Sequence, residues 1–426
     1  MKGLTLINPT WGRPQLEQET RRIYDICDGC RRCFNLCPSF NTLFDRIDAR
    51  ESAVARLAAA DFERVADECY YCKLCFNHCP YTPPHQYEID FPRLMIAWKK
   101  QLAADRGVRW RDRLLVRTDL IGRLSSLAAP LVNRFMRLGL ARRLMEAVVG
   151  VHRDRQVLAS QRETFSRWWQ KRTHTTQQAG TPHGKVALFA SCLVNYQATD
   201  VGKATIQVLE KNGIEVVVPE QRCCGMPSFD LGDTDTIARA ARANLASFKP
   251  WLDQGYDVVS PVPSCSLMLK REYPFLVPSE AMAQLAQRTF DVCEYLMRMK
   301  KAGTLATDFV HKPGRVAYQI PCHLRDQNIG FKSKELMEAA GATVEVVERC
   351  SGHDGTWGAK VEFFDLSMKI ARKAVRDIEQ APADLVVSDC PLSALQLDQA
   401  GAAAHAGGKT ARHPIQVVRD AYGLSS

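Results

Sequence analysis

Nowhere in the 426 residues does an apolar run approach the ~20 needed to cross a bilayer, so the sequence predicts no transmembrane helix. Residues 1–12 lack the basic start, apolar core and small-residue cleavage site of a secretory signal, and no twin arginine is present; a cytoplasmic chain is expected. No glycine-rich dinucleotide fingerprint follows a strand pattern with an acidic residue in the required place, and Gly355-Thr356-Trp357-Gly358 is too short a signal to count. Any flavin site is therefore expected on another chain. Aromatic residues amount to only 8%, and those in the arginine-rich stretch, such as Trp110 and Phe135, are scattered. With no recognised binding module beside them, they argue against a nucleic-acid partner. Cysteine is absent from residues 101–184, although the chain holds sixteen.

That uneven distribution is the first positive signal. Disulfide scaffolds belong to small secreted domains, whereas clustered cysteines in a reducing compartment read as metal sites. Eight cysteines lie in residues 1–100 and form two runs, Cys27-x2-Cys30-x2-Cys33-x3-Cys37-Pro38 and Cys69-x2-Cys72-x2-Cys75-x3-Cys79-Pro80. Three thiolates at three-residue steps wrap one side of a cubane, and the fourth, before proline, serves the other cluster in two-cluster ferredoxins. The expected ligand sets are Cys27, Cys30, Cys33 and Cys79 for one [4Fe–4S] cluster and Cys37, Cys69, Cys72 and Cys75 for the other. Zinc is the rival for four thiolates, but its C-x2-C pairs are spaced apart rather than triple-stepped and proline-terminated. Between the two runs, Asp45–Glu68 reads as one helix by propensity and charge pattern, giving a helical ferredoxin-like domain.

The net charge of +10 falls mainly in the cysteine-free middle, residues 101–184. From Arg111 to Gly150, Leu120, Ile121, Leu124, Leu127, Leu131, Phe135 and Leu138 recur at helical steps among arginines that include Arg117, Arg123, Arg134, Arg137, Arg142 and Arg143, with Pro130 expected to kink or divide the helix. Two readings stand here: a packed helical hairpin with a solvated basic face, or a basic amphipathic surface for a membrane or a membrane subunit. Residues 171–185 read as a polar linker.

Residues 185–426 read as a duplicated α/β unit. Strand patterns at 185–191 and 315–321 run into Cys192 and Cys322; those at 213–219 and 341–347 lead to Cys223-Cys224-Gly225 and Cys350-Ser351-Gly352; those at 257–260 and 384–388 lead to Cys265 and Cys390. Matching cysteines lie 125 to 130 residues apart. Cysteines beyond the carboxyl ends of strands sit where open α/β sheets place ligands.

These cysteines, with the stretches Pro321–Asp326, Glu348–Gly358 and Ser388–Ser393, resemble the cysteine-rich CCG family. Its members include heterodisulfide reductases and the iron–sulfur subunits of anaerobic glycerol-3-phosphate dehydrogenase and glycolate oxidase. The resemblance, taken with the two N-terminal runs, covers nearly the whole chain. It implies an α+β multidomain fold: a dicluster ferredoxin-like domain at 1–100, a helical segment at 101–184, and CCG repeats at 185–310 and 311–426. The family pattern of five thiolates per repeat is incomplete, with Val262, Ser351 and Ser393 in cysteine positions. Cys192, Cys223, Cys224 and Cys265 remain in the first repeat for a third iron–sulfur cluster or zinc. The second keeps Cys322, Cys350 and Cys390, with His323 and His353 near family positions as further candidates. Cys293 falls outside the pattern and reads as a buried free cysteine on a helix.

The leading expectation is an electron-transfer subunit rather than a stand-alone enzyme. Electrons would come from a flavoprotein dehydrogenase partner and pass to quinone or another acceptor in anaerobic respiratory metabolism, with the chain peripheral on the cytoplasmic membrane face. A heterodisulfide or thiol–disulfide reductase is the alternative, and an assembly protein with structural zinc is the third. No catalytic residue is assigned.

Overall fold

The computed structural model describes residues 12–51, 53–172, 183–353, 355–402, 408 and 410–424. Most of the expected linker, residues 173–182, lies outside them. The chain forms two compact units.

The first unit comprises residues 12–116 together with two segments from far along the chain, 227–236 and 355–357. Its core is aromatic: Tyr24, Phe40, Phe44, Phe62, Phe91 and Trp98 are all buried. They lie on the helices Arg13–Cys30, Pro38–Asp48, Ala59–Glu68 and Phe91–Arg106. The Trp98 indole N–H donates to Thr20 Oγ1 at 2.8 Å, so the ring is buried without leaving a polar atom unpaired. The continuous helix expected over Asp45–Glu68 is instead broken into Pro38–Asp48, a 3-10 turn at Val54–Arg56, and Ala59–Glu68. Helix propensity there is worth tenths of a kcal/mol per residue. The break buries Val54 and Leu57, and Arg21 takes up the freed carbonyls of Val54, Ala55 and Leu57 at 2.9, 3.1 and 3.0 Å. Tertiary burial outweighs the local preference.

The two distant segments join this unit through side chains. Phe229 packs against Tyr71 with ring centroids 4.5 Å apart, and Trp357 against Tyr70 at 4.7 Å. The Trp357 indole also donates to Asp67 O at 3.1 Å, and Thr356 donates twice to Asp230 Oδ2.

The second unit comprises residues 117–226, 237–353 and 358–424. It holds two parallel sheets. Strands β1 (Gly184–Leu188), β2 (Ile214–Val217), β3 (Asp257–Ser260) and β4 (Thr289–Asp291) lie in the order β2-β1-β3-β4. Strands β5 (Arg315–Gln319), β6 (Thr343–Val347) and β7 (Leu385–Val387) lie in the order β6-β5-β7. In register, Val186 stands between Val216 and Asp257, and Val316 between Val344 and Leu385. The central strands are covered on both faces, so Val186, Ala187 and Leu188 form an unbroken apolar run with no exposure. In both sheets the chain reverses direction beside the central strand, which opens a crevice at the carboxyl ends.

The unit also carries the middle helices Thr118–Leu127, Ala129–Phe135 and Gly139–Val149, with Pro130 in the first turn of the second. The helix is divided at Pro130, as its missing N–H requires. A packed hairpin is not what forms, because the apolar stripe faces outward: Leu124, Leu131 and Leu140 are 58, 73 and 81% exposed.

Candidate iron–sulfur sites

In the first unit the eight cysteines line two cavities. One is walled by Cys27, Cys30, Cys33 and Cys79, with Arg32, Phe44 and Tyr81 among the rest. The other is walled by Cys37, Cys69, Cys72 and Cys75, with Tyr70, Tyr71 and Lys73. Each cavity thus draws three thiols from one run and the fourth from the other. Phe40, buried, lines both.

Local backbone explains the crossing. Cys27 and Cys30 end the first helix, which stops where Arg31 turns left-handed and its N–H bonds Cys27 O at 2.7 Å. Cys33 follows in the turn, and Cys37 leaves in extended conformation to precede the helix Pro38–Asp48. Burial first, and mutual repulsion after it, push Cys33, beside Cys79 and Cys30, to about 12, and push Cys27 and Cys75 up strongly. Thiols packed this way ionise only with compensating cationic charge, which iron supplies. All sixteen cysteines are free, so none is spent on a disulfide.

In the second unit Cys192 follows β1, Cys223 and Cys224 follow β2, and Cys265 follows β3. Cys192 and Cys223 sulfurs are 3.7 Å apart, and Cys224 and Cys265 sulfurs 3.4 Å. A single zinc ion with bonds of ~2.3 Å would gather all four sulfurs to within ~3.8 Å. Among the described residues these four form no group in which even three ligand atoms lie within 4.8 Å of one another. Cys223 and Cys224 also hydrogen-bond to each other, so the four thiols form one chain of neighbours, Cys192–Cys223–Cys224–Cys265. Cys223 is held well below the usual thiol range by hydrogen bonds from Cys192, Cys224 and the Thr118 hydroxyl, while Cys192 and Cys224 are pushed above it.

Two contributors escaped the sequence reading. Thr118 Oγ1 lies 3.2 Å from Cys223 Sγ and 3.4 Å from Cys192 Sγ, and Asp119 Oδ2 accepts from Cys223 N–H at 2.6 Å. Burial, and then the Cys223 charge, push Asp119 up to about 6. Both residues open the helix Thr118–Leu127, which approaches the Cys192 helix closely enough that a Cβ on Gly122 would stand 2.2 Å from the Tyr196 ring. The available signal was that glycine inside an apolar helix pattern. Hydrogen bonds to ligand sulfur raise a cluster's potential. Thr118→Val, which keeps the shape, is expected to lower the potential of the group held here by tens of millivolts, read by EPR-monitored redox titration.

In the second repeat Cys322 follows β5, Cys350 lies beyond β6, and Cys390 lies beyond β7. Gly352 N–H donates to Cys350 Sγ at 3.3 Å. Gly352 is left-handed, and a Cβ there would meet Ser367 O at 2.4 Å, so only glycine permits the turn. Ser393, in a family cysteine position, donates to Gln319 Oε1 at 2.9 Å. His323 is buried and pairs through Nδ1 with Ser264 Oγ at 2.8 Å, beside Cys265 of the first repeat. His353 Nδ1 accepts from Arg155 Nη2 at 2.5 Å. Arginine only donates, so Nδ1 accepts, and the other ring nitrogen, Nε2, is buried with no hydrogen-bond partner. Burial, then Arg155, holds His353 neutral far below its usual range.

Comparison with known proteins agrees with this architecture. Residues 186–270 and 316–398 match the cysteine-rich domain family CCG, and residues 20–105 match the citrate utilization protein B Fer4-like domain. A subunit of the anaerobic glycerol-3-phosphate dehydrogenase of Escherichia coli K12 is 30% identical over 68% of this chain and 72% of its own length. Lactate utilization protein A of Geobacillus kaustophilus is 32% identical over 57% of this chain and 99% of its own. No described helix is long and apolar enough to cross a membrane. The protein belongs to the CCG-domain family of iron–sulfur electron-transfer subunits, whose members include that glycerol-3-phosphate dehydrogenase component and lactate utilization protein A.

Proposed function

We propose that this chain relays electrons from a flavoprotein dehydrogenase partner to quinone or another acceptor at a membrane surface in anaerobic respiratory metabolism. The observation that carries the reading is the pair of cysteine cavities sharing the Phe40 wall. Cys27, Cys30, Cys33 and Cys79 would hold one [4Fe–4S] cluster and Cys37, Cys69, Cys72 and Cys75 the second. Cys192, Cys223, Cys224 and Cys265 would hold a third iron–sulfur group or zinc, and Cys322, Cys350 and Cys390, with His323 and His353 as further candidates, a metal centre in the second repeat. Bound clusters supply reversible one-electron storage. The protein's own residues exclude water, set the spacing and tune the sulfurs. Tyr70 and Tyr71, in the wall of the second cavity, touch Trp357 and Phe229. Those two residues follow Cys350 by seven positions and Cys224 by five, so the chain itself links the ferredoxin-like unit to both repeats.

The outward apolar stripe supports a membrane-surface location. Leu124, Leu127, Leu131, Leu138, Leu140 and Leu144 are more than half exposed, and Arg117, Arg123, Arg134, Arg137 and Arg143 are exposed around them. An apolar face rimmed by arginine matches an interface of anionic lipid.

Two measurements test the reading. The anaerobically prepared chain, mixed with a reduced flavoprotein dehydrogenase of its source, is expected to take up electrons and pass them to a quinone analogue. Absence of cluster reduction by any such partner would sink it. Leu124→Ser with Leu131→Ser is expected to weaken sedimentation with anionic vesicles about 30-fold, on roughly 1 kcal/mol per leucine. Unchanged binding would remove the membrane part alone. A Cys224→Ser variant that kept full throughput yet lost disulfide reduction would favour the reductase alternative.

A further inference from the structure

Cys293 belongs to neither ligand run nor either repeat's cysteine set. It lies in the helix Val292–Lys301, is fully buried, and follows β4, the strand the sequence pattern did not reveal. Asp291 ends β4 and caps this helix, its Oδ1 accepting from Cys293 N–H at 2.9 Å. Asp389, just beyond β7 of the second sheet, is buried as well. Its Oδ2 accepts from the Tyr318 hydroxyl at 2.6 Å and its Oδ1 from the Ser333 hydroxyl. One carboxylate oxygen of each aspartate and the Cys293 sulfur all lie within 4.8 Å of one another, the only such triad of His, Cys, Asp or Glu among the described residues.

Two buried carboxyl groups this close avoid the cost of facing charges when one of them is protonated or when a cation lies between them. Asp291 Oδ2 is buried with no hydrogen-bond partner, in a residue 1% exposed, and both Asp389 oxygens already receive hydroxyl donors. Asp291 thus keeps a buried oxygen that receives no hydrogen bond, and one oxygen of each aspartate lies within 4.8 Å of the other and of the Cys293 sulfur, a separation one ion can bridge, since metal–oxygen bonds of ~2.0–2.2 Å span ~3–4 Å from ligand to ligand. Hydroxyls donating to a carboxylate are also what orients a metal-binding oxygen.

We propose that Asp291, Cys293 and Asp389 bind one divalent metal ion that ties the end of the first repeat's sheet to the end of the second's. One thiolate with two carboxylates selects zinc over calcium or magnesium, which take oxygen alone. Zinc does not change oxidation state, so the site fastens the repeats and carries no electrons. Three anionic ligands around a dication leave one negative charge. Lys270, ion-paired with Glu294, stands near enough to Asp291 to favour its ionised form. Without the ion, burial and then Asp389 push Asp291 up to about 8, and burial pushes Asp389 to about 6.

The full-length chain, purified without oxygen and supplied with Zn²⁺, tests this by zinc counting and zinc K-edge X-ray absorption. The expected wild-type spectrum contains one sulfur at ~2.3 Å and oxygens at ~2.0–2.2 Å per ion. Cys293→Ser and Asp291→Asn are each expected to lose one zinc per chain while keeping iron content. Cys350→Ser, which disturbs the second repeat's own thiols, is expected to keep that zinc. An all-sulfur zinc shell, no zinc, or equal zinc in wild type and the two site variants would overturn the proposal. Should the variants fail to fold, the wild-type shell still decides it.

Discussion

Replacing Cys37 by serine is expected to abolish the cluster whose other three ligands, Cys69, Cys72 and Cys75, are untouched and 32 or more residues away in sequence. Iron and acid-labile sulfide should each fall by about four per chain. The EPR spectrum of the dithionite-reduced protein should simplify from two interacting paramagnets to one isolated signal, and electron throughput should fall to background. Cys79→Ser is the mirror experiment and should remove the other cluster. The geometric reason is that Cys37 lines the cavity of the second run and Cys79 that of the first. If Cys37→Ser instead cost the cluster of Cys27, Cys30 and Cys33, the crossed arrangement would be wrong.

The second large effect is on stability. Stripping iron under anaerobic, reducing conditions is expected to destabilise the first unit by on the order of 5–10 kcal/mol. That lies below the ~10–16 kcal/mol of zinc-dependent peptides, because this unit keeps an aromatic core of its own. The loss arises because the core packs directly against ligand cysteines: Cys75 lies within it, and Cys27, Cys33, Cys37, Cys69 and Cys79 pack on its edge. Without metal the walls formed by Leu36, Phe40 and Phe44 lose their contents. Denaturant titration followed by fluorescence, in which Trp98 reports the core, should show an early transition that the holoprotein lacks. The sheets of the second unit should unfold separately and later. A single transition unchanged by iron removal would contradict the account.

Much of this was readable in advance where the signal is local. Six of the seven strands fall where short apolar runs lead into a cysteine, because a fully covered parallel strand must be apolar along its length. The missed strand, β4, is Thr289-Phe290-Asp291, which offers no apolar run, unlike the equally short β7 with Leu385-Val386-Val387. The helix over Asp45–Glu68 was misjudged because Arg21, from another helix, supplies the carbonyl partners that make the break favourable. The middle helices were anticipated with their division at Pro130. That Thr118 and Asp119 at their start hydrogen-bond to Cys223 was not, since nothing in a charge or apolar pattern marks a residue 105 or 104 positions away.

The sequence alone determined the chemistry: thiols at three-residue steps before proline, and twice-repeated cysteines beyond strand ends, follow from spacing that the backbone translates directly into ligand geometry. Tertiary packing alone decided which polar neighbours meet those thiols, which way the apolar stripe faces, and that Asp291, Cys293 and Asp389 converge. Such meetings depend on how separate elements stack, and hydrogen bonds or buried charges between elements leave no periodic trace in the chain.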